Sequence, residues 1–82
     1  NMDHSVITEK LTVIFRTVFN DDTIVLRDDL TANDVGNWDS LTHMLMIGEV
    51  EKLFSIKFKL KELGKMDNLK SLVDLIELKL RK

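Results

Sequence analysis

Ser40 places a hydroxyl group at the predicted start of a helix. Asp39 precedes it and is a residue type that often caps helices, and an apolar run with helical spacing begins at Leu41. The first turn of a helix has backbone N–H groups without intrahelical partners and carries the positive end of the helix dipole. A phosphate ester on the Ser40 hydroxyl would therefore be held favourably. Because the chain has no cysteine, any thiol chemistry would need a thiol on an attached group.

A serine protease-like triad is one alternative for the same residues. His43 lies three residues after Ser40, so their side chains would be neighbours on a helix, and Asp39 completes the three residue types. We reject the triad because Asp39 and Ser40 are adjacent in the backbone and project in different directions. The sequence also has no Gly-x-Ser-x-Gly turn and no evident oxyanion hole. We predict no catalytic residue, and we expect His43 to pack under the preceding loop or to contact a partner.

A calcium-binding loop is a second alternative. Asp29, Thr31 and Asn33 alternate as the ligands of an EF-hand do. However, the position that requires glycine holds Asp34, and the twelfth position, which requires a bidentate glutamate, holds Ser40. We therefore predict no metal site.

The residues before Ser40 predict one helix and a long loop. Six apolar residues with helical spacing indicate an amphipathic helix over about Ser5–Phe19; they are Ile7, Leu11, Ile14, Phe15, Val18 and Phe19. The loop from Asn20 to Trp38 is longer than the roughly 12–15 residues usual for unstructured connections. We expect aliphatic and aromatic side chains to anchor it while Asp28, Asp29 and Asp34 stay in water. The expected anchors are Ile24, Leu26, Leu30, Val35 and Trp38.

The second predicted helix, about Ser40–Phe54, has two apolar sides. One side is expected to build the core and consists of Met46, Ile47, Val50, Leu53 and Phe54. The other side begins with Leu41, Met44 and Leu45 and continues through Gly48 and Lys52. Two interpretations of this second side remain open. Loop residues such as Trp38 or Ile24 cover it, or it is an exposed patch at which partners dock.

The remainder of the chain predicts two further helices. A short turn or helix around Leu60–Leu63 is expected to end at Gly64, a residue suited to the left-handed position after a helix. Asp67 is expected to cap a last helix with apolar residues on one face, namely Leu69, Leu72, Val73, Ile76 and Leu80. The predicted fold is all-α: one domain over residues 1–82, forming a small antiparallel bundle of three main helices and one short helix, with a long ordered first loop.

Size and charge limit the possible functions. A chain of 82 residues has little interior for an enclosed catalytic pocket, which favours a carrier or an adaptor over an enzyme. Residues 1–51 hold three Lys/Arg and ten Asp/Glu, and residues 52–82 hold nine and four, so the net charges are −7 and +5. The lysines are mixed with acids and few aromatics, which disfavours nucleic-acid binding. No apolar run is long enough to span a bilayer and no leader is evident, so we expect a cytoplasmic monomer without membrane insertion. Asn1 is expected to be a remnant of recombinant expression.

The stretch from Gly36 to Ile47 resembles the attachment site of acyl carrier proteins, with their Asp-Ser-Leu signature at Asp39, Ser40 and Leu41. The order of helices and the long first loop extend this resemblance to nearly the whole chain. It implies that a 4′-phosphopantetheine arm is attached to Ser40 through a phosphodiester and that its terminal thiol holds acyl groups as thioesters. It also implies that Asp39 is recognised by the phosphopantetheinyl transferase, which uses coenzyme A and a magnesium ion.

The resemblance further implies a docking surface for acyl-loading and acyl-processing enzymes of fatty-acid, polyketide or surface-polysaccharide pathways. The residues expected there are Leu41, Met44, Leu45, Gly48 and Glu51. Two alternatives remain open from the sequence. One is a peptidyl carrier that holds aminoacyl thioesters. The other is a helical adaptor without a prosthetic group that binds partners through Leu41, Met44 and Leu45.

Overall fold

The computed structural model describes residues 2–81, which form four α-helices, one 3-10 turn and no β-strand. The helices are α1 (His4–Val18), α2 (Ser40–Phe54), α3 (Leu60–Leu63) and α4 (Leu69–Leu80), and the 3-10 turn is Ala32–Asp34. The predicted all-α class, with three main helices and one short one, is confirmed. None of the helices in this part of the chain has the length and apolar character needed to cross a bilayer. The expectation for Asn1 lies outside the described residues.

Aspartate or asparagine side chains cap the N-termini of the three long helices. The Asp3 carboxylate accepts the Val6 N–H at 3.0 Å, so α1 begins one residue before the predicted start. At α4 the predicted cap, Asp67, is wrong. Asn68 caps this helix because its side-chain oxygen accepts the Ser71 N–H at 2.9 Å, which places Asp67 one residue outside the cap position.

The conformation predicted for Gly64 is also wrong. Its φ of −78° is right-handed, because the chain continues in a second tight turn in which the Lys65 N–H donates to the Glu62 carbonyl at 3.1 Å. Positive φ angles occur instead after α1, at Asn20 (53°), and after α2, at Ser55 (55°).

The core lies between α1, α2 and α4, and residues of the first loop complete it. Early residues of α1 lie beside late residues of α2, since Lys10 and Leu53 line one end of their shared groove and Val18 and Leu45 the other. These two helices therefore run antiparallel. Leu53 is 47% exposed in this groove, so its predicted place in the core is wrong: no other element among residues 2–81 covers that side of α2. The other predicted core residues of α2 are buried, namely Met46, Ile47, Val50 and Phe54.

The first loop is held by its side chains and by hydrogen bonds to α1 and to Phe19, the residue that follows α1. Ile24, Leu30 and Val35 are buried, and Leu26 and Trp38 are partly buried against the core. The Arg16 side chain donates to the Ile24 carbonyl at 3.0 Å, and the Asn37 side-chain amide donates to the Phe19 carbonyl at 2.9 Å. These contacts order the loop up to the residue before Trp38.

The same loop is joined to the start of α4. The Leu69 N–H donates to the Leu30 carbonyl at 2.9 Å, and the Lys70 N–H donates to the Asp28 carbonyl at 3.0 Å. The first N–H groups of a helix have no intrahelical acceptor, so the loop supplies the acceptors that α4 itself lacks.

Candidate functional site

Ser40 is the first residue of α2, and its side chain is exposed to solvent. The predicted span of this helix, Ser40–Phe54, is confirmed. The serine hydroxyl therefore lies at the positive end of a helix of 15 residues. A negatively charged group attached at this position would meet the dipole in its most favourable orientation.

Asp39 is the N-cap of α2, as predicted from the sequence. Its backbone is extended, with φ of −126°, and its carboxylate accepts the Thr42 N–H at 2.9 Å. In return the Thr42 hydroxyl oxygen accepts the Asp39 N–H at 2.8 Å. This reciprocal pair is a capping box, which fixes the direction in which the chain enters the helix.

Thr42 also ties the helix to the loop, a role that the sequence analysis missed. Its hydroxyl donates to the Asn37 carbonyl at 2.6 Å, and Asn37 is itself bonded to the end of α1 through Phe19. The sequence signal was weak, because the third position of a capping box usually holds Glu or Gln and here holds Thr42. Thr42 is thus hydrogen-bonded to Asn37 and Asp39, the residues on either side of Trp38.

The Asp39 carboxylate stays ionised beside Ser40. The hydrogen bond from the Thr42 N–H is the main cause that lowers the pKa of Asp39 below its usual value of 3.8. This donor favours the charged form of the carboxylate. The site therefore combines an exposed hydroxyl with an adjacent fixed negative charge.

Trp38 anchors the site to the core through three rings. Its indole lies edge-on to Phe15, with ring centroids 5.4 Å apart, and 5.2 Å from the centroid of Phe19. On the other side the indole donates its N–H to His43 Nδ1 at 3.0 Å, and the two rings are nearly parallel, with centroids 6.0 Å apart. His43 therefore packs against the loop, one of its two expected places. Because Nδ1 already accepts this bond, it is not available to take a proton from Ser40.

We predict that acid weakens this anchor. Burial lowers the pKa of His43 below its usual value of 6.5, because the neutral ring is favoured where solvation is reduced. Between the two pKa values, the unfolded chain binds a proton that the folded chain does not bind. The stabilisation from His43 is therefore present above about pH 6.5 and is lost as the pH falls towards the lower folded-state pKa. NMR titration should show the Trp38 indole N–H and the His43 ring shifting together, with a midpoint below that of an unfolded histidine. A midpoint at or above the unfolded value would contradict this prediction, and His43→Phe is the control that should abolish the shared transition.

The second side of α2 is an exposed apolar patch, defined by Leu41, Met44 and Leu45. Their exposed fractions are 70%, 51% and 53%. The interpretation in which Trp38 or Ile24 covers them is therefore wrong: the Trp38 ring packs inward on α1, and Ile24 is buried. The patch begins at the residue after Ser40.

Gly48 and Glu51, the other two expected docking residues, lie further along α2. A side chain at Gly48 would meet nothing within 4 Å, so the helix surface there is open to a partner's approach. Glu51 is engaged within the fold, because its carboxylate accepts the Phe58 N–H at 2.9 Å and lies 3.9 Å from the Lys57 ammonium. Its expected contact with partners stays a prediction. Within residues 2–81 no cluster of three or more potential metal ligands occurs.

A known structure shares this fold and much of this sequence. It is the solution NMR structure of the holo acyl carrier protein from Geobacter metallireducens, which is 49% identical to this chain and has a TM-score of 0.85. The aligned part covers 90% of this chain and 85% of that protein. No family model matches the sequence, and no curated protein is significantly similar to it. With this identity over most of both chains, the two proteins are similar in sequence as well as in fold.

Proposed function

Because the chain belongs to the acyl carrier protein family, we propose that Ser40 is the residue to which its 4′-phosphopantetheine arm is joined by a phosphodiester. The observation that carries this proposal is the position of Ser40: an exposed hydroxyl on the first residue of α2, directly after the capping residue Asp39. The protein is a non-catalytic carrier, in agreement with the prediction. The family assignment favours this function over an adaptor without a prosthetic group.

The residues around Ser40 fit the proposed group. The phosphodiester would lie at the first turn of α2, where the N–H groups and the helix dipole stabilise negative charge. The arm supplies the thiol that this chain lacks, on which acyl groups are held as thioesters. The capping box of Asp39 and Thr42 holds the serine at the helix start, so the point of attachment stays fixed while the arm moves.

Asp39 is the second part of the proposal. Its lowered pKa keeps the carboxylate ionised, and hard cations such as magnesium prefer oxygen ligands of this kind. We propose that the phosphopantetheinyl transferase, which uses magnesium and coenzyme A, recognises this carboxylate when it modifies Ser40. The Asp39 carboxylate would supply one ligand of the magnesium ion, and the transferase and the phosphates of coenzyme A would supply the others.

Intact-protein mass spectrometry tests the attachment. The full chain is incubated with coenzyme A, magnesium and a broad-specificity phosphopantetheinyl transferase, and the expected result is a gain of one arm. Peptide mapping should place the added mass on the peptide that contains Ser40. No gain on a folded sample, or a gain on a peptide that contains Ser5, Ser55 or Ser71 instead, would contradict the proposal.

The proposed docking surface for partner enzymes is the apolar patch together with Gly48 and Glu51. Its exposed side chains begin beside the attachment point, and methionine can adapt its shape to different partners. The proposed partners are the transferase and the acyl-loading and acyl-processing enzymes. The proposal includes a monomeric carrier that acts in the cytoplasm.

Leu41→Asp should slow modification by the transferase. Leu41 is 70% exposed, and truncating one of the few central contacts that dominate an interface costs about 2 kcal/mol or more. We therefore expect kcat/KM for arm attachment to fall about tenfold or more, measured by the rate of mass gain. The fold should be unaffected, because an acid in the first turn of a helix is favourable.

Val13→Asp is the matched control for this prediction. Val13 is 67% exposed and lies on α1, so the same change is made at a similar exposure outside the proposed docking surface. Equal losses in the two variants would show that the effect comes from added charge rather than from the patch.

A further inference from the structure

A lysine-rich surface surrounds α3, in the half of the chain with net positive charge. We call it the basic face and define it by Lys57, Lys59, Leu60, Lys61 and Lys65, all of which are exposed. Leu60 is 86% exposed, more than any other large apolar side chain among the described residues. A single exposed leucine is ordinary, but this one has a lysine on each side and two more within five residues.

The fold holds this surface in place. Phe58 and Leu63, on either side of Leu60, pack against the core. The Lys79 ammonium lies 2.9 Å from the Glu62 carboxylate and 5.6 Å from the centroid of the Phe58 ring. With its neighbours fixed inward, Leu60 is presented outward by the structure.

The positive charges of the basic face are largely uncompensated. Within residues 2–81, Lys59, Lys61 and Lys65 form no ion pair, and Lys57 is 89% exposed although it lies 3.9 Å from Glu51. The nearest acids along the chain are Glu62, which pairs with Lys79, and Asp67. A surface of this kind attracts a negatively charged partner.

We propose that the basic face docks the protein peripherally on an anionic lipid surface, with the lysines at the headgroups and Leu60 at the boundary of the acyl chains. This inference goes beyond the carrier function and does not depend on Ser40. Clusters of basic residues bind anionic membranes through general attraction, and an apolar side chain among them adds binding by burial.

The composition of the face favours a membrane over an acidic protein. Protein interfaces are enriched in arginine and aromatic residues and depleted in lysine, whereas this face has four lysines, no arginine and a single protruding leucine. Lysine acts as a point charge without a fixed geometry, which suits mobile headgroups. The half of the chain that holds the basic face is also net positive, +5 over residues 52–82, whereas residues 1–51 carry −7 and would be repelled by an anionic surface.

Vesicle flotation with the full chain tests the proposal. The probes are vesicles of phosphatidylcholine alone and of an equal mixture of phosphatidylcholine and phosphatidylglycerol. The wild type should bind the mixed vesicles, more weakly as salt is raised, and should not bind the neutral ones. Since each lysine near an anionic surface contributes about fivefold in partitioning, Lys59→Glu with Lys61→Glu should lower binding about 25-fold or more. Leu60→Ser should lower it about tenfold, which is the effect of removing one buried aliphatic side chain.

A double variant with the same net charge is the control. Lys10→Glu with Lys52→Glu reverses two lysines on α1 and α2 that do not flank Leu60, and should change binding by less than about threefold because only charges close to the headgroups are attracted strongly. Three results would each overturn the proposal: no binding of the wild type to mixed vesicles, equal binding to neutral vesicles, or equal losses in the two double variants. Failure to bind mixed vesicles would leave an acidic protein as the partner of this face.

Discussion

Ser40→Ala is expected to abolish attachment of the phosphopantetheine arm while leaving the fold intact. No other residue in the Asp-Ser-Leu stretch offers a hydroxyl at the first position of α2, and alanine cannot form the phosphodiester. Because the serine side chain is exposed, its removal should change the free energy of unfolding by no more than about 0.5 kcal/mol. Intact mass after incubation with the transferase, together with thermal unfolding, measures both parts.

Ser5→Ala is a demanding control, because Ser5 lies in the first turn of another Asp-capped helix. The Asp3 carboxylate caps α1 as Asp39 caps α2, and Ser5 follows it by two residues. Ser5→Ala should take up the arm at the rate of the wild type. If Ser40→Ala still gained the arm, attachment at Ser40 would be refuted, whereas a loss in both variants would point to damage elsewhere.

Phe15→Ala should cause a large loss of stability. Phe15 is fully buried and contacts both Phe19 and Trp38, with ring centroids 5.3 Å and 5.4 Å away. Removing a buried phenylalanine ring costs about 3–5 kcal/mol, a large part of the roughly 4–12 kcal/mol expected for a domain of this size. We expect Tm to fall by about 12 °C or more. Trp38 emission should shift to longer wavelength, because its ring loses the packing that shields it.

Circular dichroism and Trp38 fluorescence during urea unfolding measure this change. Val13→Ala is the matched control on the same helix, because Val13 is 67% exposed, and it should change stability by no more than about 0.5 kcal/mol. A loss no larger for Phe15→Ala than for the control would mean that these ring contacts do not anchor the loop that precedes Ser40.

Periodic apolar residues and cap residues made most of this fold predictable. The spacing of Ile7, Leu11 and Phe15 predicts α1 because a helix must bury one continuous side, and the structure buries all three. Asp39 could be predicted as a cap from local chemistry alone, since the capping bonds join residues three positions apart. For the same reason the predicted and observed bounds of α2 agree.

The errors occur where a neighbouring element decides the outcome. Leu53 is exposed because no other part of the described chain covers the α1–α2 groove. The periodicity of α2 cannot predict this, because it depends on how the other elements pack. Leu41 and Met44 are exposed because the Trp38 ring packs inward on α1 and does not cover them. This orientation of the ring follows from its contacts with Phe15, Phe19 and His43, which join parts of the chain far apart in sequence. Asp67 and Asn68 are chemically similar caps, and only the geometry of the first turn of α4 separates them.

The two hydrogen bonds between the first loop and the start of α4 have a consequence for the order of events on the ribosome. The carbonyl groups of Asp28 and Leu30 receive their partners only when Leu69 and Lys70 have been synthesised. Until α4 leaves the exit tunnel, the loop that precedes Ser40 in the nascent chain lacks these two hydrogen bonds. A transferase that needs the ordered loop would therefore act only after α4 has emerged from the ribosome and docked on the loop.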